Sequence, residues 1–142
     1  MITDIKRALL TQLQPLSSKV RIIADDTEGE AGSASQVRND YILRVGYAGA
    51  TFQLPDTTES VEIQVGSRAF QISVEIRDLR SEDKATEILE EAEYLILGFC
   101  PCIEGTNGQF YLQNDRFQQN RDGIYYYVTT CAISCLVMKK YY

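Results

Sequence analysis

Histidine and the common catalytic motifs are missing from this sequence. None of its 142 residues is a histidine, which removes Ser–His and Cys–His nucleophile pairs and the usual zinc catalysis. Gly46 and Gly49 lie in a strand-like segment that lacks the lysine and the helix start of a phosphate-binding loop. Asp115 and Glu104 remain as acid–base candidates, but their spacing does not distinguish them from ordinary surface acids. The sequence therefore predicts a protein that is not an enzyme and uses no cofactor.

Basic residues and long apolar runs are scarce. Fourteen lysines and arginines oppose 20 acidic residues, which gives a net charge of −6. Nucleic-acid binders carry basic patches for phosphate contacts, so this balance argues against a DNA-reading role, although an acidic surface suits a channel that DNA crosses without sticking. No run approaches the roughly 20 apolar residues that a membrane span needs, and no signal peptide is recognisable. We expect an intracellular protein with no membrane segment.

The four cysteines form two close pairs. Structural zinc sites use paired C-x2–4-C knuckles, whereas Cys100 and Cys102 form a C-x-C pair. Cys131 and Cys135 would share one face of a strand about 13 Å apart, at roughly 3.3 Å per residue, which is too far for one zinc ion. We therefore predict no metal site and treat all four as small buried hydrophobes in a reducing compartment.

Two segments have the apolar spacing of an amphipathic helix. The first is capped by Thr3 and ends before Pro15. The second is capped by Ser81 and closed by Gly98. The residues of the first apolar stripe are Ile5, Ala8, Leu9, Leu13 and Leu16, and those of the second are Ala85, Ile88, Leu89, Ala92, Leu95, Ile96 and Phe99. Glu87, Glu90, Glu91 and Glu93 are assigned to the solvated side of the second helix.

Strand-like alternation predicts five segments, at residues 20–24, 41–52, 69–77, 110–117 and 124–138. Apolar residues occupy odd positions from Val61 to Val65 and even positions from Phe70 to Ile76. This change of phase at Gly66–Ser67 indicates a hairpin or a bulge, and we favour a bulge or short turn leading into the strand at 69–77. The pattern predicts one α+β domain over residues 1–142, with a mostly antiparallel sheet and two helices packed on one face.

Two further features attract attention. Residues 25–36 are acidic, with glycines and serines, and we interpret them as an exposed loop because the EF-hand calcium pattern is absent. Tyr125, Tyr126 and Tyr127 are consecutive in the last strand. Either Tyr126 is buried with half-exposed neighbours, or the tyrosines form a protein–protein contact, in which tyrosine is enriched. Sequence leaves both interpretations open.

Three stretches resemble one known family. They are Val45-Gly46-Tyr47-Ala48-Gly49-Ala50-Thr51-Phe52; the segment Phe70-Gln71-Ile72-Ser73-Val74-Glu75-Ile76-Arg77 with the helix to Leu97-Gly98-Phe99; and Arg116-Phe117 followed by Gly123-Ile124-Tyr125-Tyr126-Tyr127. Together they resemble the small tail terminator (tail completion) proteins of contractile-tailed, Mu-like phages. The sequence departs from that pattern at Cys100, where a basic residue is common, and in the strongly acidic residues 25–36.

The resemblance implies a structural role in the virion tail, with assembly in the host cytoplasm. Members of that family form a ring, usually a hexamer, which caps the tail tube, ends its polymerisation and offers the surface that joins the neck and head. The implied partners are other copies of the chain, the tail tube protein, a neck or connector protein and, as a further candidate, the sheath protein, with DNA passing through the lumen. The residues expected at such contacts are Asp25, Asp26, Glu28, Glu30, Asp56, Glu59, Tyr125, Tyr127 and Tyr141.

Two alternative functions are compatible with the same features. Another head–tail connector or baseplate subunit would share the size, the charge and the absence of catalytic motifs. A small-ligand-binding regulatory α+β domain is an alternative from a different class. Ring formation on tail tubes would distinguish a tail terminator from both alternatives. A ligand that raises thermal stability would favour the regulatory domain.

Overall fold

The computed structural model describes residues 1–24, 41–55, 61–77, 82–119 and 123–139. These residues form two α-helices and five strands, so the predicted α+β class is confirmed. The helices are α1 (Ile2–Gln12) and α2 (Glu82–Ile96), with a short 3₁₀ helix at Gln14–Leu16. The strands are β1 (Arg21–Ala24), β2 (Tyr41–Phe52), β3 (Ile63–Ile76), β4 (Thr106–Gln119) and β5 (Tyr125–Met138).

The five strands form one sheet in the order β1-β2-β3-β5-β4. Strand β1 pairs with β2 in parallel, and the other three neighbouring pairs are antiparallel. The longest pairing joins β3 to β5 without interruption, from Ile63 opposite Met138 to Ile76 opposite Tyr125. This confirms the mostly antiparallel sheet and places the uncharged strand β5 beside the centre.

The change of phase at Gly66 is neither a hairpin nor a bulge, so our prediction there is wrong. Strand β3 runs straight through Gly66 and Ser67 with continuous pairing to both neighbours at that point. The bulge lies on the partner strand instead, between Tyr47 and Gly49 of β2. Because the strand is regular, the phase change means that the apolar side chains before Gly66 point to the opposite face from Phe70 and its successors.

Both helices begin or end slightly differently from expectation. Met1 rather than Thr3 is the N-cap of α1, because the Met1 carbonyl already accepts the first helical hydrogen bond from the Ile5 amide at 2.9 Å. Thr3 therefore lies inside the first turn. The predicted end of α2 is confirmed: Gly98 takes a φ of +78°, and its amide donates to the Phe110 carbonyl at 2.9 Å. The predicted cap Ser81 lies outside the described residues.

The core lies between the helices and one face of the sheet. The even-numbered residues of β3 from Phe70 to Ile76 are buried there, together with Cys131 and Ile133 of β5. Each helix contributes its predicted stripe, with Ile5 and Leu9 from α1 among the fully buried side chains. The buried residues of α2 are Ala85, Ile88, Leu89, Ala92 and Ile96. Both helices therefore pack on the same face of the sheet, as predicted.

Candidate assembly surface

The buried member of the tyrosine triplet is Tyr127 and not Tyr126, so the first sequence interpretation is wrong, while a contact by the tyrosines stays a prediction. Tyr127 is only 7% exposed and belongs to the core, while Tyr125 and Tyr126 are half-buried. Tyr127 lies opposite Val74 on the helix face of the sheet, which explains its burial. The Phe117 ring lies beside both odd-numbered tyrosines, with centroid distances of 6.0 Å to Tyr125 and 5.1 Å to Tyr127. Within a single chain, Tyr127 thus packs inward, while Tyr125 and Tyr126 keep part of their surface exposed.

The Tyr127 hydroxyl is buried and has no hydrogen-bond partner in bonding geometry among the residues the structure describes. Burial, followed by the nearby carboxylates of Glu82 and Asp83, raises the pKa of Tyr127 to about 12. The hydroxyl therefore stays protonated under physiological conditions. Tyr127 belongs to the hydrophobic core.

The remaining predicted contact residues lie outside the described residues. These are Asp25, Asp26, Glu28, Glu30, Asp56, Glu59 and Tyr141. The structure therefore brings together only Tyr125 and Tyr127 of the predicted set. The assignment of the acidic segments to a contact stays a prediction.

The cysteines divide into two classes. Cys131 and Cys135 are buried, and burial raises the pKa of the Cys131 thiol to about 12, so these two behave as the small hydrophobes that we expected. Cys100 and Cys102 are exposed instead, with their sulfur atoms 3.3 Å apart. For this pair the prediction of burial is wrong, because the chain leaves the end of α2 along the surface. Among the described residues, no group of three or more histidine, cysteine or acidic side chains is placed to hold a metal ion.

Glu93 is not part of a purely solvated helix face. It accepts a hydrogen bond from the Thr129 hydroxyl of β5 at 2.8 Å. Burial raises the pKa of the Glu93 carboxyl, and the nearby carboxylates of Asp115 and Glu90 add to the effect, while the Thr129 hydrogen bond opposes it. Our assignment of all four glutamates to the solvated side of the helix is therefore wrong for Glu93. It lies where α2 meets the sheet beside β4.

The most prominent surface feature is an arm at one end of the sheet. We define the distal arm as residues 49–55 of β2 and its extension, residues 61–67 around the start of β3, and residues 134–139 at the end of β5. These segments pair with one another from Phe52 opposite Gly66 to Ile63 opposite Met138. The arm carries exposed large hydrophobic residues: Phe52, Leu54, Val61, Ile63, Val65, Val137 and Met138. Exposed apolar clusters of this kind are often interaction surfaces in other proteins.

The two faces of the arm differ. On the helix side, the Phe52 ring lies against Gly66, and the Arg68 guanidinium lies 5.7 Å from the centre of that ring. Arg68 also donates to the Tyr47 hydroxyl at 2.9 Å. On the opposite side, which we call the open face, Ile63 and Val65 stand beside Met138 and Leu136 across the β3–β5 pairing. The exposed fractions there are 55% for Ile63, 43% for Val65 and 61% for Met138.

Charged side chains are nearly absent from the arm. Residues 45–55, 63–67 and 124–138 contain no acidic or basic residue, in a chain that is 24% charged. Interface cores are depleted of charge in the same way, because a charge that loses water must be paired. The sequence contained this signal, but we interpreted the phase change at Gly66 as a backbone irregularity and missed the exposed apolar face.

A groove lies between Lys19 and the start of α2. This groove of about 360 Å³ is lined by Lys19, Lys84, Glu87 and Glu91 together with Asp83 and Ile88. Five of its six lining residues are charged, and two of them, Lys19 and Glu91, pair with each other at 2.8 Å. None of the described helices is long and apolar enough to span a bilayer.

A family model described as "Gp37 protein" matches residues 8–141, which covers all five strands, α2 and the C-terminal part of α1. No curated protein matches the chain.

Proposed function

Because the chain belongs to the Gp37 family, which indicates a phage-associated protein, we propose that it is a structural subunit of the phage tail. In this proposal it is a tail terminator, and several copies close into a ring, a hexamer being usual for such proteins. The ring caps the tail tube, ends its polymerisation and offers the surface to which the neck and head attach. Its work is assembly, without catalysis and without a cofactor.

The observation that carries this proposal is the distal arm. Its open face exposes Ile63, Val65 and Met138. Residues 124–138, which include the part of β5 that belongs to the arm, contain no charged residue. Leaving this much apolar surface in water is costly, at about 25 cal/mol for each Å². A subunit that is buried in an assembly has a use for such a surface, while an isolated ligand-binding domain does not.

Charge supports the same role. The net charge of −6 leaves no basic surface excess with which to hold DNA. A ring that lets a genome pass through its lumen benefits from repelling phosphates. The partners in this proposal are other copies of the chain, the tail tube protein and a neck or connector protein, with the sheath protein as a further candidate.

The proposal is tested by measuring assembly. Purified protein is examined by light scattering and negative-stain imaging, alone and with its cognate tail tube protein. We expect closed rings in solution, or rings at the ends of tubes whose lengths become uniform. A protein that stays monomeric and leaves the tube lengths unchanged contradicts the proposal. If such a monomer also gains thermal stability from a small ligand, the regulatory-domain alternative is favoured.

A further inference from the structure

A pair of thiols lies on the surface of the chain after the end of α2. Cys100 and Cys102 are both exposed, and their sulfur atoms are 3.3 Å apart. Because a disulfide bond joins two sulfur atoms at about 2.05 Å, these two atoms need to approach by only about 1.3 Å to form one. The assembly role proposed above makes no use of this pair.

The backbone of the turn brings the two side chains together. Cys102 has a φ of +55°, the one positive value for a residue other than glycine in the part of the chain that the structure describes. Left-handed backbone is unfavourable for residues with a Cβ, and it persists where the surrounding structure imposes it. Pro101, between the two cysteines, has its own φ fixed by its ring. The sequence Cys-Pro-Cys thus doubles back on itself, and its two sulfur atoms come into contact.

Both ends of this turn are held by the sheet. Before the turn, the Gly98 amide donates to the Phe110 carbonyl at 2.9 Å, and the Phe110 amide donates to the Phe99 carbonyl at 2.8 Å. After the turn, the Leu136 amide donates to the Gly105 carbonyl at 2.8 Å. Because β4 and β5 fix the two ends, the thiols are held in place before they react, and joining them orders little additional chain.

We propose that Cys100 and Cys102 form a reversible disulfide by exchange with a small-molecule disulfide such as glutathione disulfide. In the first step the Cys100 thiolate attacks one sulfur atom of that molecule, a mixed disulfide forms at Cys100, and the first glutathione leaves as a thiolate. In the second step Cys102 loses its proton to solvent and attacks the Cys100 sulfur, which releases the second glutathione. The pair gives up two electrons and two protons, and these convert one disulfide molecule into two thiols.

The two thiols have different roles in this exchange. The hydrogen bond with Cys100 raises the pKa of the Cys102 thiol, and the charge of an ionised Cys100 adds to the effect. Cys102 therefore holds its proton to higher pH than an ordinary cysteine and donates it to the Cys100 sulfur. Since the thiolate is the nucleophile in thiol–disulfide exchange, Cys100 is the attacking residue and Cys102 resolves the mixed disulfide.

The other two cysteines provide a contrast within the same chain. Cys131 and Cys135 are buried, and burial raises the pKa of the Cys131 thiol to about 12. The Cys131 thiol also donates to the Phe70 carbonyl at 3.6 Å in the core. Because a dissolved disulfide does not reach buried, protonated thiols, the exchange is confined to Cys100 and Cys102.

The reaction is measured on the purified full chain by mass spectrometry. The reduced chain is incubated with glutathione disulfide at about pH 8, where a substantial fraction of an ordinary thiol is ionised. Acid stops the reaction, N-ethylmaleimide in denaturant blocks the remaining thiols, and trypsin digests the chain. Trypsin leaves Cys100 and Cys102 in peptide 85–116 and the buried pair in peptide 122–139. We expect peptide 85–116 to lose two hydrogen atoms and peptide 122–139 to keep both thiols.

The order of the two steps is tested by trapping the intermediate. At early times we expect fragment spectra of the unmodified chain to place glutathione on Cys100 and not on Cys102. Cys102→Ser has no resolving thiol, so the mixed disulfide at Cys100 should accumulate at least about tenfold above its level in the unmodified chain. Cys100→Ser is the matched control, in which no disulfide forms within the turn. Circular dichroism checks that both variants fold.

The contribution of the fold is tested by repeating the exchange in urea. The unfolded turn does not hold the thiols together, so we expect the equilibrium constant for disulfide formation to be at least about tenfold larger in the native chain. Equal constants in the two states would show that the turn contributes nothing and would overturn the inference.

Three further outcomes also overturn it. These are a native chain that keeps all four thiols, a disulfide in peptide 122–139, and disulfides formed only between chains on a non-reducing gel. Glutathione trapped on Cys102 instead of Cys100 overturns the assigned roles. Because the exchange is measured within single chains, its failure leaves the proposed ring function standing, and a chain that forms no rings leaves this inference standing.

Discussion

In both halves of strand β3 every second side chain is apolar, but only one half has its apolar side covered by the helices. From Phe70 onward, the apolar side chains face α1 and α2 and are fully buried. Before Gly66, Ile63 and Val65 face the other side, and both are exposed. One half is thus covered by the chain's own helices, while the other stays exposed in the single chain. Regular alternation reports that a face is to be buried, but it does not say by what.

The largest effect should come from a matched pair of truncations on this strand. Phe70 is fully buried against the Tyr47 and Phe110 rings, at centroid distances of 5.3 and 6.1 Å. We expect Phe70→Ala to lower the free energy of unfolding by about 3–5 kcal/mol, since it leaves a cavity. Ile63→Ala in the monomer should cost less than about 1 kcal/mol. Urea unfolding measures both, and similar losses would abolish the distinction between the two halves.

A smaller effect is expected at Gly66, where the two halves of β3 meet. A Cβ atom on Gly66 would lie 2.5 Å from Cδ1 of Phe52 and 2.6 Å from the Thr51 carbonyl oxygen. Because the carbonyl belongs to the backbone, the β2–β3 pairing must shift, and we expect Gly66→Ala to cost about 1–3 kcal/mol. Ser67→Ala is the control, with a change within about 0.5 kcal/mol. An unchanged urea midpoint for Gly66→Ala would show that the arm adapts freely.

The smallest effect is expected at Glu93, where α2 meets the sheet. The raised pKa of Glu93 means that folding favours its protonated form, so its contribution to stability is greatest at acid pH and is lost as the pH rises through the raised pKa. Glu93→Gln keeps an acceptor for the Thr129 hydroxyl and removes the charge. We expect it to raise the free energy of unfolding at pH 7 by less than about 1 kcal/mol, because solvent screens the site. This advantage should disappear at pH 4, and a variant that is less stable at pH 7 would contradict the argument.

Local features of the fold were predictable because they depend on neighbours in sequence. Strand β2 has the predicted bounds, Tyr41–Phe52, and five of the seven residues in the predicted apolar stripe of α2 are buried, while Leu95 and Phe99 are partly buried. The order of strands was not predictable, because the pairing of β3 with β5 joins residues more than 48 positions apart across a helix. Thr3 was misassigned because threonine is a common cap near the start of a helix. Met1 already occupies the N-cap position, so Thr3 lies inside the helix.

The candidate surface was harder to predict than the fold. Tyrosines are enriched at interfaces, but enrichment does not show direction, and the pairing of Tyr127 with Val74 turns its ring into the core. The informative signals were the change of phase at Gly66 and the absence of charge through β5. Each becomes interpretable only when it is known which face the helices occupy.

The strand order has a consequence for synthesis of the protein. Strand β5 follows the other four strands in the chain, yet it lies between β3 and β4. On the ribosome, β3 therefore waits with one side unpaired, and β4 waits without any strand partner, until β5 emerges. Pairings between distant segments form slowly, and unpaired apolar strands can associate with other chains in the meantime. The time between translation of β3 and of β5 is thus the period in which a nascent subunit most needs protection from its own copies.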